Sequence, residues 1–158
     1  ITLKPEEWAP AESPDVFDLR PFLFMDMILK EQDFREALKG YDWSLHQGKV
    51  LCVFCSSDAI IPSWAYMLVA TYATPIVRQL FYGTPDRWIS HTLLHYIETM
   101  DITPYAGQRV ILKGCSDKVP VGPEVYTALT TRLVPIVKSL MFGEPCSTVP
   151  VYQQPKGA

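Results

Sequence analysis

The chain has 158 residues, with 14 Lys and Arg against 17 Asp and Glu, a net charge of −3 and a pI of about 5.6. The length suits a single domain over residues 1–158 with a real core, and the acidic balance argues against nucleic acid, which needs a basic face. The longest apolar runs are broken by Pro, Arg or Asp well short of the roughly 18 residues of a membrane span, so no membrane partner is expected.

In chain order, "ITLKPEEWAPAESPDVFDL" predicts one short strand at Ile1 to Leu3, followed by a Pro-rich acidic loop. "FLFMDMILKEQDFREALKGYDW" places Phe24, Ile28, Phe34, Ala37 and Leu38 at helical spacing, which predicts a helix over about Phe24–Gly40 with Gly40 as its stop. His46, beside "QGK", is expected at the surface. "GKVLCVFC" is a compact apolar run, the pattern of a strand buried on both faces. Pro62 suits the first turn of an apolar helix running to about Thr74, and "VRQLFYG" then predicts a short strand ended by Gly83. A helix over about Asp86–Met100, a strand at "QRVILKGC" and a helix-then-strand at "GPEVYTALTTRLVPIVKSLMFG" follow. The remainder predicts loop, a last extended piece and a polar tail.

A shift of 60 residues superposes two copies of this pattern. Cys55-Ser56, Tyr66, Pro75 and Gly83 fall on Cys115-Ser116, Tyr126, Pro135 and Gly143, among other identities. Shared apolar periodicity explains matching Val and Leu but not these pairs. The expectation is an α/β fold, one domain with an internal repeat over about 24–86 and about 86–146. Each copy is a βαβ-type unit, and together they make a mainly parallel sheet covered by helices. Ligands of such sheets sit at the carboxyl ends of strands. If the two copies set their first strands side by side, Cys55 and Cys115 come together there. A third Cys-Ser pair, Cys146-Ser147, follows the last predicted strand.

"FDLRPFLFMDMILKEQDFREALKGYDWS", "CSSDAIIPSWAYMLVATYATP" and "RLVPIVKSLMFGEPCSTVPVY" resemble an uncharacterised bacterial family, domain-of-unknown-function family number 2480. The likeness covers most of Val16 to Tyr152 and implies a bacterial, cytoplasmic protein; it transfers no reaction.

The chemistry of the cysteines is therefore argued from the residues. Thiolates bind zinc, or alternatively iron, and Cys55, Cys115 and Cys146 with Asp58 or Asp117 would complete a metal site. A thiol-redox or cysteine-nucleophile enzyme is the second reading, since a cysteine ahead of a helix has a lowered pKa. A non-catalytic binding module with buried, inert cysteines is the third. Cys52, at the opposite strand parity from Cys55, is expected to pack. His91 and His95 share a helix face, but Thr92 stands where a metalloprotease motif has its acid, so a solvated or packed face is expected. Ser56 and Ser116 are expected to cap the following helices or to donate to a thiolate. A homodimer is the default assembly. The sparse cysteines and the absence of a charged-then-apolar leader after Ile1 give the expectation of a cytoplasmic location.

Overall fold

The computed structural model describes residues 1–114, 118–144 and 146–157. Helices and strands alternate along the chain, giving an α/β fold with two mainly parallel sheets among the described residues. Backbone contacts gather these elements into two compact units, residues 12–88 and residues 1–11 with 89–158.

The unit of residues 12–88 contains a three-stranded parallel sheet in the order β2-β3-β4, formed by β2 (Asp15–Asp18), β3 (Val50–Phe54) and β4 (Gln79–Tyr82). The crossover from β3 to β4 is α2 (Ser63–Ala73), and α1 (Glu31–Gly40) lies between β2 and β3 in the chain. Val50 to Val53 are buried without interruption, as a central parallel strand requires. The inner face of α2 presents Ala65, Val69 and Ala73, one turn apart. These are small side chains. The volume is supplied instead by Phe17, Phe34 and Trp43, with Phe17 stacked on Trp43 at 5.1 Å between ring centroids.

The second unit contains a four-stranded sheet in the order β1-β5-β6-β7. Its strands are β1 (Thr2–Leu3), β5 (Arg109–Leu112), β6 (Ser139–Glu144) and β7 (Ser147–Gln153), with β7 antiparallel at the edge. Here the crossover helix is α4 (Pro123–Leu133), whose inner face is Val125, Leu129 and Leu133. Helix α3 (Pro85–Thr99) begins in residues 12–88 and places Leu93 and Ile97 in the core of the second unit. No described helix is long and apolar enough to cross a membrane.

The structure corrects four expectations from the sequence. A strand, β2, lies where loop was expected, and it takes the edge of β3. Likewise β1 takes the edge of β5. Each copy thus recruits its own flanking strand, and β3 and β5 belong to different sheets. The helix expected from Phe24 starts only at Glu31; Phe24 to Ile28 form a tight hairpin, bridged Phe24 to Ile28, with Met25 and Asp26 at φ of 52° and 58°. His46 is buried rather than at the surface, its Nδ1 2.7 Å from Asp15 Oδ2 and its Nε2 2.7 Å from the Tyr41 hydroxyl.

The fourth correction concerns the repeat. Helices α2 and α4 and strands β4 and β6 obey the 60-residue shift, but strands β3 and β5 do not. Val50 pairs with Gln79, whereas Arg109 pairs with Ser139, so Val50 corresponds to Arg109 and not to Val110. Burial agrees: Leu51 and Val53 face one core, Val110 and Leu112 the other. A one-residue slip would turn each of these side chains to the wrong face. The structural counterpart of Cys55 is therefore Gly114, one residue ahead of Cys115.

Candidate functional site

At the carboxyl ends of β2, β3 and β4, Asp18, Cys55 and Tyr82 come to one edge of the sheet of residues 12–88, and α2 adds Tyr66. Asp18 builds this edge. Its Oδ1 accepts hydrogen bonds from Arg20 N and Ser56 N, each at 3.0 Å, and its Oδ2 accepts from the Ser56 hydroxyl at 2.6 Å. The first bond closes a turn into the 3-10 helix Arg20–Phe22; the other two fasten the loop after β3 to the end of β2. Ser56 thus serves Asp18 and does not cap α2, whose N-cap residue is Pro62. Burial alone would raise the Asp18 carboxyl. The bonds from Ser56 and Arg20, with the Arg20 charge, outweigh it and hold the group below the usual carboxylate range.

Cys55 is half-buried, with Sγ 3.3 Å from the Ser57 hydroxyl. Ser57 Oγ in turn accepts from Ala59 N at 3.2 Å, which shapes the loop. Tyr66 and Tyr82 meet edge to face, ring centroids 4.9 Å apart. Burial pushes the Tyr66 hydroxyl up to about 12, helped by the charges of Tyr82 and Cys55, a hydrogen bond with Tyr82, and the Asp18 charge. A cavity of about 360 Å³ opens beside them, lined by Ile61, Ser63, Tyr66 and Tyr82.

The counterpart in the second unit is built differently. Phe142 replaces Tyr82, and its ring lies over Gly114 so closely that a Cβ there would strike it. Tyr126 meets Phe142 edge to face at 5.2 Å, and its hydroxyl donates to Lys113 O at 3.0 Å. A larger groove of about 480 Å³ flanks this pair, but Thr127, Val134, Met141 and Val151 typify its walls and Tyr126 is the sole titratable residue among its described lining. Among the described residues, the site with chemistry to offer is in residues 12–88.

Of the residues expected to bind metal, Cys55 and Asp58 lie in residues 12–88, Asp58 exposed, and Cys146 is exposed at the turn from β6 to β7 in the second unit. Cys115 and Asp117 lie outside the described residues. Among the described residues no three His, Cys, Asp or Glu side chains are grouped to hold a metal ion, and Cys52, Cys55 and Cys146 are free thiols. Cys52 packs as expected; burial pushes its thiol up to about 11. His91 and His95 are exposed on α3. Sequence reasoning found Cys55, took Tyr66 only as a repeat position with packing as its default, and missed Asp18 and Tyr82, which arrive from other strands. The one local signal was Asp18 itself, an acid closing a β-branched and aromatic stretch.

Residues 1–154 match the sequence profile described as "Protein of unknown function (DUF2480)", and the chain belongs to that family. No curated protein and no solved structure matches it.

Proposed function

We propose that this protein binds a small uncharged molecule carrying hydroxyl or aromatic groups at the carboxyl edge of the β2-β3-β4 sheet, with the Cys55 thiol beside it. One observation carries this reading: Tyr66 and Tyr82 line a cavity at the carboxyl edge of the sheet, where ligands of parallel sheets are held, and Asp18 and Cys55 stand at the same edge. The chemistry of the lining sets the ligand class. The lining residues Ser63, Tyr66 and Tyr82 offer hydroxyls that donate and accept, and Ile61 offers an apolar wall. Asp18 is occupied by three hydrogen bonds, so its charge serves the loop more than a ligand. Tyr66, held protonated to about 12, remains a donor at neutral pH. The hydrogen-bond partner of Cys55 is a hydroxyl and not an imidazole, which favours binding over a cysteine-nucleophile mechanism.

The test is NMR of ring-labelled tyrosine with a panel of small neutral phenols and polyols, together with elemental analysis of protein purified without chelator. Joint shifts of the Tyr66 and Tyr82 rings, lost in Ser63→Trp, support the reading. Stoichiometric zinc or iron that departs in Cys55→Ser would replace it with the metal-thiolate reading. A fast, reversible Cys55 oxidation with no ligand response would replace it with thiol-redox chemistry.

A further inference from the structure

At the opposite, amino edge of the second unit's sheet, a cavity of about 210 Å³ is lined by Arg109, Lys138, Ser139, Met141 and Gln153. Arg109 opens β5 and Lys138 precedes β6, so two cations flank the start of neighbouring parallel strands. Ser139, buried to 6% exposure, adds a hydroxyl between them, and Gln153 of β7 adds an amide. Among the described residues the Lys and Arg ion pairs use Lys4, Arg20, Arg35, Lys49, Arg78 and Lys113, and neither Arg109 nor Lys138.

The repeat shows what this corner accepts. Lys138 N donates to Gln108 O at 2.8 Å as Arg78 N donates to Lys49 O at 2.9 Å, so Lys138 and Arg78 hold the same place in the two copies. In residues 12–88 the Arg78 guanidinium is paired with the Glu12 carboxylate. The register partner of Gln79 is Val50, a buried apolar residue; the register partner of Ser139 is Arg109. The second copy has Arg109 where the first has Val50 and Gln108 where the first has Lys49, and among the described residues it sets no carboxylate against Lys138 or Arg109. A chain of net charge −3 holding two unneutralised cations around a cavity has an electrostatic place for an anion.

We propose that Arg109, Lys138, Ser139 and Gln153 form a binding site for the oxyanion group, carboxylate or phosphate, of a small molecule. The guanidinium of Arg109 grips two oxygens in its planar fork, and Lys138 supplies a point charge. The test is NMR titration of the full chain at low ionic strength with inorganic phosphate and, separately, succinate, following the Ser139 amide and the Arg109 side-chain NH. Urea serves as the uncharged probe. The expected result is saturable binding of at least one anion and none of urea. Arg109→Gln and Lys138→Gln each weaken it by about tenfold or more, while Lys39→Gln, an exposed cation on α1, leaves it unchanged. Preference for phosphate or succinate identifies the source of the oxyanion. Absence of saturation with either anion at millimolar concentration overturns the proposal. So does equal weakening by Lys39→Gln, which would mark general screening, or undiminished binding in both Gln variants with the amide spectrum intact.

Discussion

Asp18, the last residue of β2, holds both the backbone N–H and the hydroxyl of Ser56, 38 positions away, at 3.0 and 2.6 Å. Through this pair of bonds the loop that carries Cys55 is tied to a different strand from the one that delivers it.

Asp18→Ala removes these bonds and leaves the Ser56 N–H and the Arg20 turn without their acceptor. It should cost about 1–3 kcal/mol, read from urea unfolding at neutral pH. The folded carboxyl titrates below its usual value, so its contribution is present above the unfolded pKa and lost as pH falls through the folded one. The gap between wild type and variant should therefore shrink on acidification below the usual carboxylate value of 3.8. A gap that stays constant into acid would mean that the Asp18 charge does not fasten the loop.

Three described cysteines should separate by reactivity in the native protein. Cys146 is exposed, Cys55 half-buried and Cys52 fully buried. Alkylation followed by mass spectrometry should label them in that order, with Cys52 labelled only on unfolding. Burial raises the folded Cys52 thiol from 9.0 to about 11, so stability is whole below 9.0 and declines as pH rises through the folded value. Cys52→Val, nearly equal in volume, should lessen this alkaline decline. An identical alkaline profile for the two proteins would refute the assignment.

The hairpin after the 3-10 helix Arg20–Phe22 places two successive non-glycine residues, Met25 and Asp26, in the left-handed region. Each costs about 1–2 kcal/mol relative to ordinary backbone. Met25 is 78% exposed, so changing its side chain disturbs little else. Met25→Asn, which tolerates this conformation, should raise stability by about 0.5–1 kcal/mol. A lowered melting temperature would contradict the turn as described.

The same hairpin shows where the sequence misleads. Phe24, Ile28 and Phe34 keep helical spacing, yet Phe24 and Ile28 are about half exposed and only Phe34 enters the core. Spacing records which residues are apolar, not which backbone carries them. Helices α2 and α4 and strands β3 to β6 were legible because their apolar residues fall at helical spacing or in compact runs and turn residues bound them. Strand β2 was not, since only Phe17 of its four residues is buried and acidic residues surround it. The repeat was visible, but its ungapped form hid a one-residue offset in β5 because most of the identities lie from Tyr66 onward, in α2 and the segments after it. At the site, Cys55 was legible from its place after a buried strand. Asp18 and Tyr82 came to one edge only through sheet pairing, and the Asp15–His46 hydrogen bond likewise joins residues 31 positions apart.

The most direct measurement of the central claim is the rate of Cys55 alkylation by iodoacetamide, with and without small neutral phenols and polyols, in wild type and Tyr66→Ala. A ligand seated beside Tyr66 and Tyr82 should slow Cys55 alkylation in the wild type while leaving Cys146 unaffected, and the protection should vanish in Tyr66→Ala. Cys55 alkylation that no compound slows, or protection that persists unchanged in Tyr66→Ala, would contradict a ligand site at this edge of the sheet.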